Sequence, residues 1–206
     1  MRKIGVLLVL AIVAAFTVSS SSFAADPYSY RYSGTTAQAS FSRPNITGCI
    51  ITETYIFVMD AVNAVGKVKY PTSWVYVSIY DHDQCAGGII REIYGSTELA
   101  PNEFTVAKNL SSASLRATIP VHHVTLGHWG TMEVEIAWAG TGAAYHGVSQ
   151  YRDRSPGFMI RDHSVGTQRS AEADGAVWDA EGDYARGEST YAYTMSTRSG
   201  TLVIVK

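Results

Sequence analysis

Apolar and polar residues alternate with period two in almost every patterned stretch of this sequence, and no 3.6-residue period persists between helix caps. Such a chain buries its apolar side chains as pleated strands, whose successive residues point to opposite faces. The pattern is clearest where Leu115, Ala117, Ile119 and Val121 alternate with Arg116 and Thr118, and where Met132, Val134, Ile136 and Trp138 alternate with Glu133 and Glu135. Turn residues at 124–130 separate the two runs, which predicts a hairpin. The run 49–59 is apolar on both faces, with Ile50, Ile56 and Val58 on one and Ile51, Tyr55 and Phe57 on the other, as in a central strand covered on each side. In 74–80, Val75, Val77 and Ile79 oppose Trp74, Tyr76, Ser78 and Tyr80. Shorter runs fall at 35–41, 88–94, 104–107, 168–178, 190–197 and 201–205, with Ser199-Gly200 read as a turn between the last two. Residues 140–158 hold four glycines and a proline with little periodicity, and read as a long loop. About nine or ten short strands predict an all-β fold, an antiparallel β-sandwich; a closed β-barrel satisfies the same alternation.

Composition narrows the class further. Hydrophobic residues make up 46% of the 206 and charged residues 17%, which excludes intrinsic disorder and a coiled coil. Sixteen Lys and Arg against eighteen Asp and Glu leave no basic footprint for nucleic acid. Residues 1–24 read as a cleaved signal peptide: Arg2 and Lys3 precede an apolar stretch from Ile4 to about Val18, and Ser22 and Ala24 supply small residues for cleavage after Ala24. Without Arg2 and Lys3 the remainder carries 14 basic and 18 acidic residues, a net charge of −4. Residues 25–206 are then expected to form one exported domain, secreted, periplasmic or extracellular, with no further stretch apolar for long enough to span a membrane.

Cys49 and Cys85 are the only cysteines, and in an oxidising compartment such a pair is expected to bridge. Cys49 opens one strand run and Cys85 follows another, so antiparallel pairing of the two runs brings the cysteines together at the ladder end. A redox-active pair normally has Cys-x-x-Cys spacing, and a thiolate zinc site needs further thiol or imidazole ligands.

Two metal chemistries deserve a test. Strand alternation sends His122 and His123 to opposite faces, whereas His123 and His128 across a hairpin could share an ion such as zinc, with Asp81 as a third ligand. The segment Asp179-Ala180-Glu181-Gly182-Asp183, just after Asp174-Gly175, offers oxygen ligands for calcium, though its spacing departs from the EF-hand frame. Catalytic motifs are weaker. Gly147-Val148-Ser149-Gln150-Tyr151 lacks the second glycine of a nucleophile elbow, with His146 and Asp153 nearby, and Glu133 and Glu135 fit a solvated strand face better than a glycosidase pair.

Thirteen tyrosines exceed the six phenylalanines and four tryptophans. Trp74, Tyr76 and Tyr80 share one strand face and Tyr191 and Tyr193 another, rows that suit a binding surface, flat sugar rings included. The reading is therefore an exported β-sandwich acting without catalysis as a binding or interaction module for a ligand or surface partner, carbohydrate among the classes considered. Its rivals are an exported metal-assisted hydrolase and a structural envelope or matrix component.

Overall fold

A computed structural model describes residues 28–155 and 158–205; the expected signal peptide at 1–24 lies outside them. Every regular element among the described residues is a strand: β1 (Tyr28–Pro44), β2 (Ile50–Val65), β3 (Val68–Asp83), β4 (Ile89–Glu98), β5 (Phe104–Val106), β6 (Ser112–His123), β7 (His128–Gly140), β8 (Tyr145–Ser155), β9 (Phe158–Trp178), β10 (Asp183–Glu188) and β11 (Tyr191–Val205). All their pairings are antiparallel. The fold is thus all-β and sandwich-like, as the alternation predicts.

The strands pair in the order β9, β11, β1, β2, β3, β4, β6, with β7 joining β6 back to β9. The path closes on itself, yet it is not a clean barrel. β4 meets β6 through three registered pairs only, Ile93 to Gly95 against His123 to Val121. β9 is bonded to β8 along its first half and to β7 along its second. Two layers result, and their inner faces interdigitate. Ala37, Ile56, Val77 and Ile93 come from one layer, and Leu115, Val134, Ile136 and Trp138 from the other, all in one buried cluster. The Trp138 indole N–H donates across the gap to the Gln38 carbonyl at 2.8 Å. Where the layers join at β4 and β6, a Cβ on Gly95 would run into the Pro120 carbonyl oxygen, so the residue without a side chain permits the corner.

Two local expectations are corrected by the strand pairing. Residues 145–155 form strand β8, which pairs with β9 from Tyr145↔Gln168 to Ser155↔Phe158. Its sequence has no apolar alternation because β8 lies on an edge with little side-chain burial, and backbone bonding to β9 makes it a strand. Ser199-Gly200 is not a turn. β11 runs through it with a register shift between Thr197 and Ser199, and the Tyr32 ring occupies the space where a Cβ on Gly200 would sit.

The disulfide expected from the two cysteines is present. Cys49 and Cys85 are joined with Cα atoms 5.2 Å apart, just beyond the Ile50↔Asp83 pair that ends the β2–β3 ladder. At this same end of the sandwich lie the β6–β7 turn and the β9–β10 turn.

Candidate metal centre

His123 closes β6 and His128 opens β7, and the two are direct cross-strand partners. The intervening turn is fastened by the Gly127 N–H donating to the His123 carbonyl at 2.7 Å. Opposed residues of an antiparallel pair point to the same face, so the imidazoles stack with centroids 4.7 Å apart and planes 7° from parallel. His123 is 2% exposed, while the side chain of His128 is 46% exposed. His122 points to the other face, between Tyr94 and Trp129 with centroid distances of 5.8 and 5.0 Å.

The acidic turn between β9 and β10 meets this histidine pair. Register explains the meeting: Glu133 of β7 pairs with Trp178 of β9, so the residues following Trp178 lie beside the start of β7. Asp179 folds the turn by accepting the backbone N–H groups of Glu181 (2.8 Å) and Gly182 (3.1 Å) on Oδ1. The Tyr184 hydroxyl donates to the same oxygen at 3.0 Å. Its other oxygen, Oδ2, lies 3.2 Å from His123 Nε2. On the opposite side of the ring, Glu181 Oε2 lies 3.3 Å from His123 Nδ1, and Glu181 Oε1 lies 2.7 Å from His128 Nε2. One donor atom from each of His123, His128 and Glu181 falls within 4.8 Å of the others.

Two atoms in this cluster are buried without a hydrogen-bond partner, His123 Nδ1 and Asp179 Oδ2. Leaving a buried polar atom unpaired costs about 1–3 kcal/mol, so the arrangement gains from anything that satisfies the imidazole nitrogen. Two imidazoles and a carboxylate form a donor set for zinc and its neighbours rather than for calcium, which takes oxygen. A carboxylate beside the second ring nitrogen, as Asp179 is beside His123 Nε2, is an arrangement common to metal-ligating histidines. The acidic turn does not form the all-oxygen loop that its sequence suggests: Asp183 turns instead to Arg186, with Oδ1 at 3.0 Å from Nη2.

Asp81 does not join the cluster. It is buried between its register partners Thr52 and Arg91, accepting from the Thr52 hydroxyl on Oδ1 at 2.7 Å and paired through Oδ2 with Arg91 Nη2 at 2.7 Å. An inward position on β3 puts it under the guanidinium of β4, which neutralises it. The aromatic rows are mostly packed against their own sheet. Trp74, Tyr76 and Tyr80 are half-buried, with Trp74 stacked on Tyr76 at 6.1 Å and edge-on to Phe57 at 6.0 Å. Tyr191 is exposed and Tyr193 half-buried, their rings 5.9 Å apart in a T-shape. Burial pushes the Tyr193 phenol well above its ordinary pKa.

The chain matches no family model, no curated protein and no solved structure. Its function has to be argued from the site.

Proposed function

We propose that this protein is an exported β-sandwich that binds a divalent transition-metal ion of the zinc class through His123, His128 and Glu181. One observation carries the reading: a buried imidazole faces a second imidazole and a carboxylate, its Nδ1 3.3 Å from Glu181 Oε2 without a hydrogen bond, while its Nε2 lies beside a carboxylate fixed by three donors. The disulfide and the leader-like residues 1–24 support export, since bridges persist in oxidising compartments. Binding rather than hydrolysis is preferred because the motifs for a nucleophile or a carboxylate pair are weak. The solvent exposure of His128 keeps metal-assisted hydrolysis as the second reading, because a catalytic ion needs a position open to a reactant.

The test is elemental analysis and calorimetric titration of the purified protein. One equivalent of zinc is expected to bind, and at a hundredfold excess over Kd to stabilise the fold by about 2.7 kcal/mol; calcium should give no comparable shift. His123→Ala should abolish uptake. If the intact protein takes up no zinc, cobalt or nickel, the reading is wrong.

A further inference from the structure

Beside the His123 cluster, a second line of polar contacts crosses the strands, and neither donor chemistry nor packing alone accounts for it. Asp81 is held by the Thr52 hydroxyl and pairs with Arg91. The Arg91 guanidinium lies over the Tyr184 ring with Cζ 4.9 Å from its centroid. Tyr184 is 1% exposed, and its hydroxyl reaches Asp179, whose other oxygen faces His123. Thr54 anchors this segment of β10 by donating to the Tyr184 carbonyl at 3.2 Å. Four strands and a turn thus contribute to a single line of contacts: β2, β3, β4, β10 and the β9–β10 turn.

We infer that Asp81, Arg91 and Tyr184 are positioning residues for the metal centre, holding the Asp179 carboxylate against His123 so that Nδ1 is presented as the ligating atom. The inference rests on the metal reading above. Asp81 is buried but the Arg91 side chain is 32% exposed, and neither solvated nor buried ion pairs add much net stability, so the Asp81–Arg91 pair is poorly explained as a stabilising device. The Arg91 Nε is itself buried without a hydrogen bond, a further cost to the fold. The geometry repays that cost at the site. A guanidinium over the ring fixes where the Tyr184 hydroxyl points, and among the described residues that hydroxyl is the one side-chain donor to Asp179 Oδ1. With Oδ1 occupied by Tyr184 and two backbone N–H groups, Oδ2 is left to face His123 Nε2 at 3.2 Å, where its charge favours a proton on that nitrogen. A proton on Nε2 frees the Nδ1 lone pair for a metal. Asp81 acts one step further back, by orienting Arg91.

The experiment compares the intact protein with Tyr184→Phe and Arg91→Lys. Phenylalanine keeps the ring under Arg91 and removes only the hydroxyl; lysine keeps the charge and removes the planar group. Zinc affinity is measured by competition titration, and the ligand field by the visible d–d bands of the cobalt-substituted protein. Outer-shell losses typically weaken metal binding 10–100-fold, so Tyr184→Phe should lose about tenfold and Arg91→Lys should lose several-fold, both with altered cobalt bands. Leu110→Ala, a buried substitution outside the chain of contacts, should lower Tm and leave zinc affinity and the cobalt spectrum unchanged. If Tyr184→Phe and Arg91→Lys fold and bind zinc within twofold of the parent with the same spectrum, the positioning role is refuted while the metal site stands. Should Leu110→Ala weaken zinc as much as they do, the effect is general destabilisation and the role is likewise refuted. Absence of metal uptake by the parent refutes both readings together.

Discussion

Asp162 on β9 holds its carboxylate half-buried under the Tyr32 hydroxyl, which donates to Oδ1 at 2.8 Å. Burial raises the pKa of this carboxyl above the ordinary aspartate range, and the Tyr32 bond only partly offsets it. The same environment lifts the Tyr32 phenol far above its usual value, mainly by burial and then by the negative charge of Asp162. A carboxyl whose pKa is higher in the folded than in the unfolded chain favours folding while protonated. That contribution is present below the ordinary aspartate pKa of about 4 and is lost as pH rises through the raised folded value. Asp162→Asn keeps an acceptor for Tyr32 and cannot ionise. Relative to the parent, its Tm should therefore be higher at pH 7 than at pH 4, by a few degrees at most, as followed by thermal melts across that range. A variant less stable at pH 7 than at pH 4, relative to the parent, would show that the charged carboxylate is favoured after all.

Strands are the scale at which the sequence was most legible. The alternation of Leu115, Ala117 and Ile119 against Met132, Val134 and Ile136 predicts the β6–β7 hairpin, and the register pairs Leu115 with Ile136, Ala117 with Val134 and Ile119 with Met132. Trp138 continues that inward row, and its indole N–H ties β7 to β1. Trp138→Ala should cost roughly 3–5 kcal/mol, combining the cavity with the lost hydrogen bond, when measured by urea unfolding. A change below about 1 kcal/mol would mean that the layers can close over the gap. β8 shows where legibility failed. An edge strand with little burial carries no hydrophobic period, and its pairing depends on the distant residues of β9. The same limit applies to 199–200, where glycine suggests a turn but the Tyr32 ring on the neighbouring strand fills its space and β11 continues.

For the whole molecule, the Cys49–Cys85 bridge closes a separation of 36 residues and staples the end of the sandwich that carries the histidine–carboxylate cluster. Chain-entropy arguments assign such a loop roughly 4 kcal/mol, so reduction should lower Tm by about 10 °C in calorimetry with and without reductant. An unchanged Tm would place the stabilisation elsewhere. The sequence by itself determined the strand character, the disulfide partners and the two segments rich in potential ligands, because each depends on local periodicity or on residue type. Tertiary structure decided what those segments mean. Read separately, His123 and His128 wanted a third ligand and the acidic turn wanted calcium; only the β7–β9 register brings Glu181 and Asp179 to the two imidazoles. It also moved Asp81 from the expected ligand set to an ion pair with Arg91, since the β3–β4 register puts a guanidinium opposite that carboxylate. Strand alternation fixes which face a side chain occupies, but which distant turn lies against that face depends on long-range pairing that no local pattern encodes.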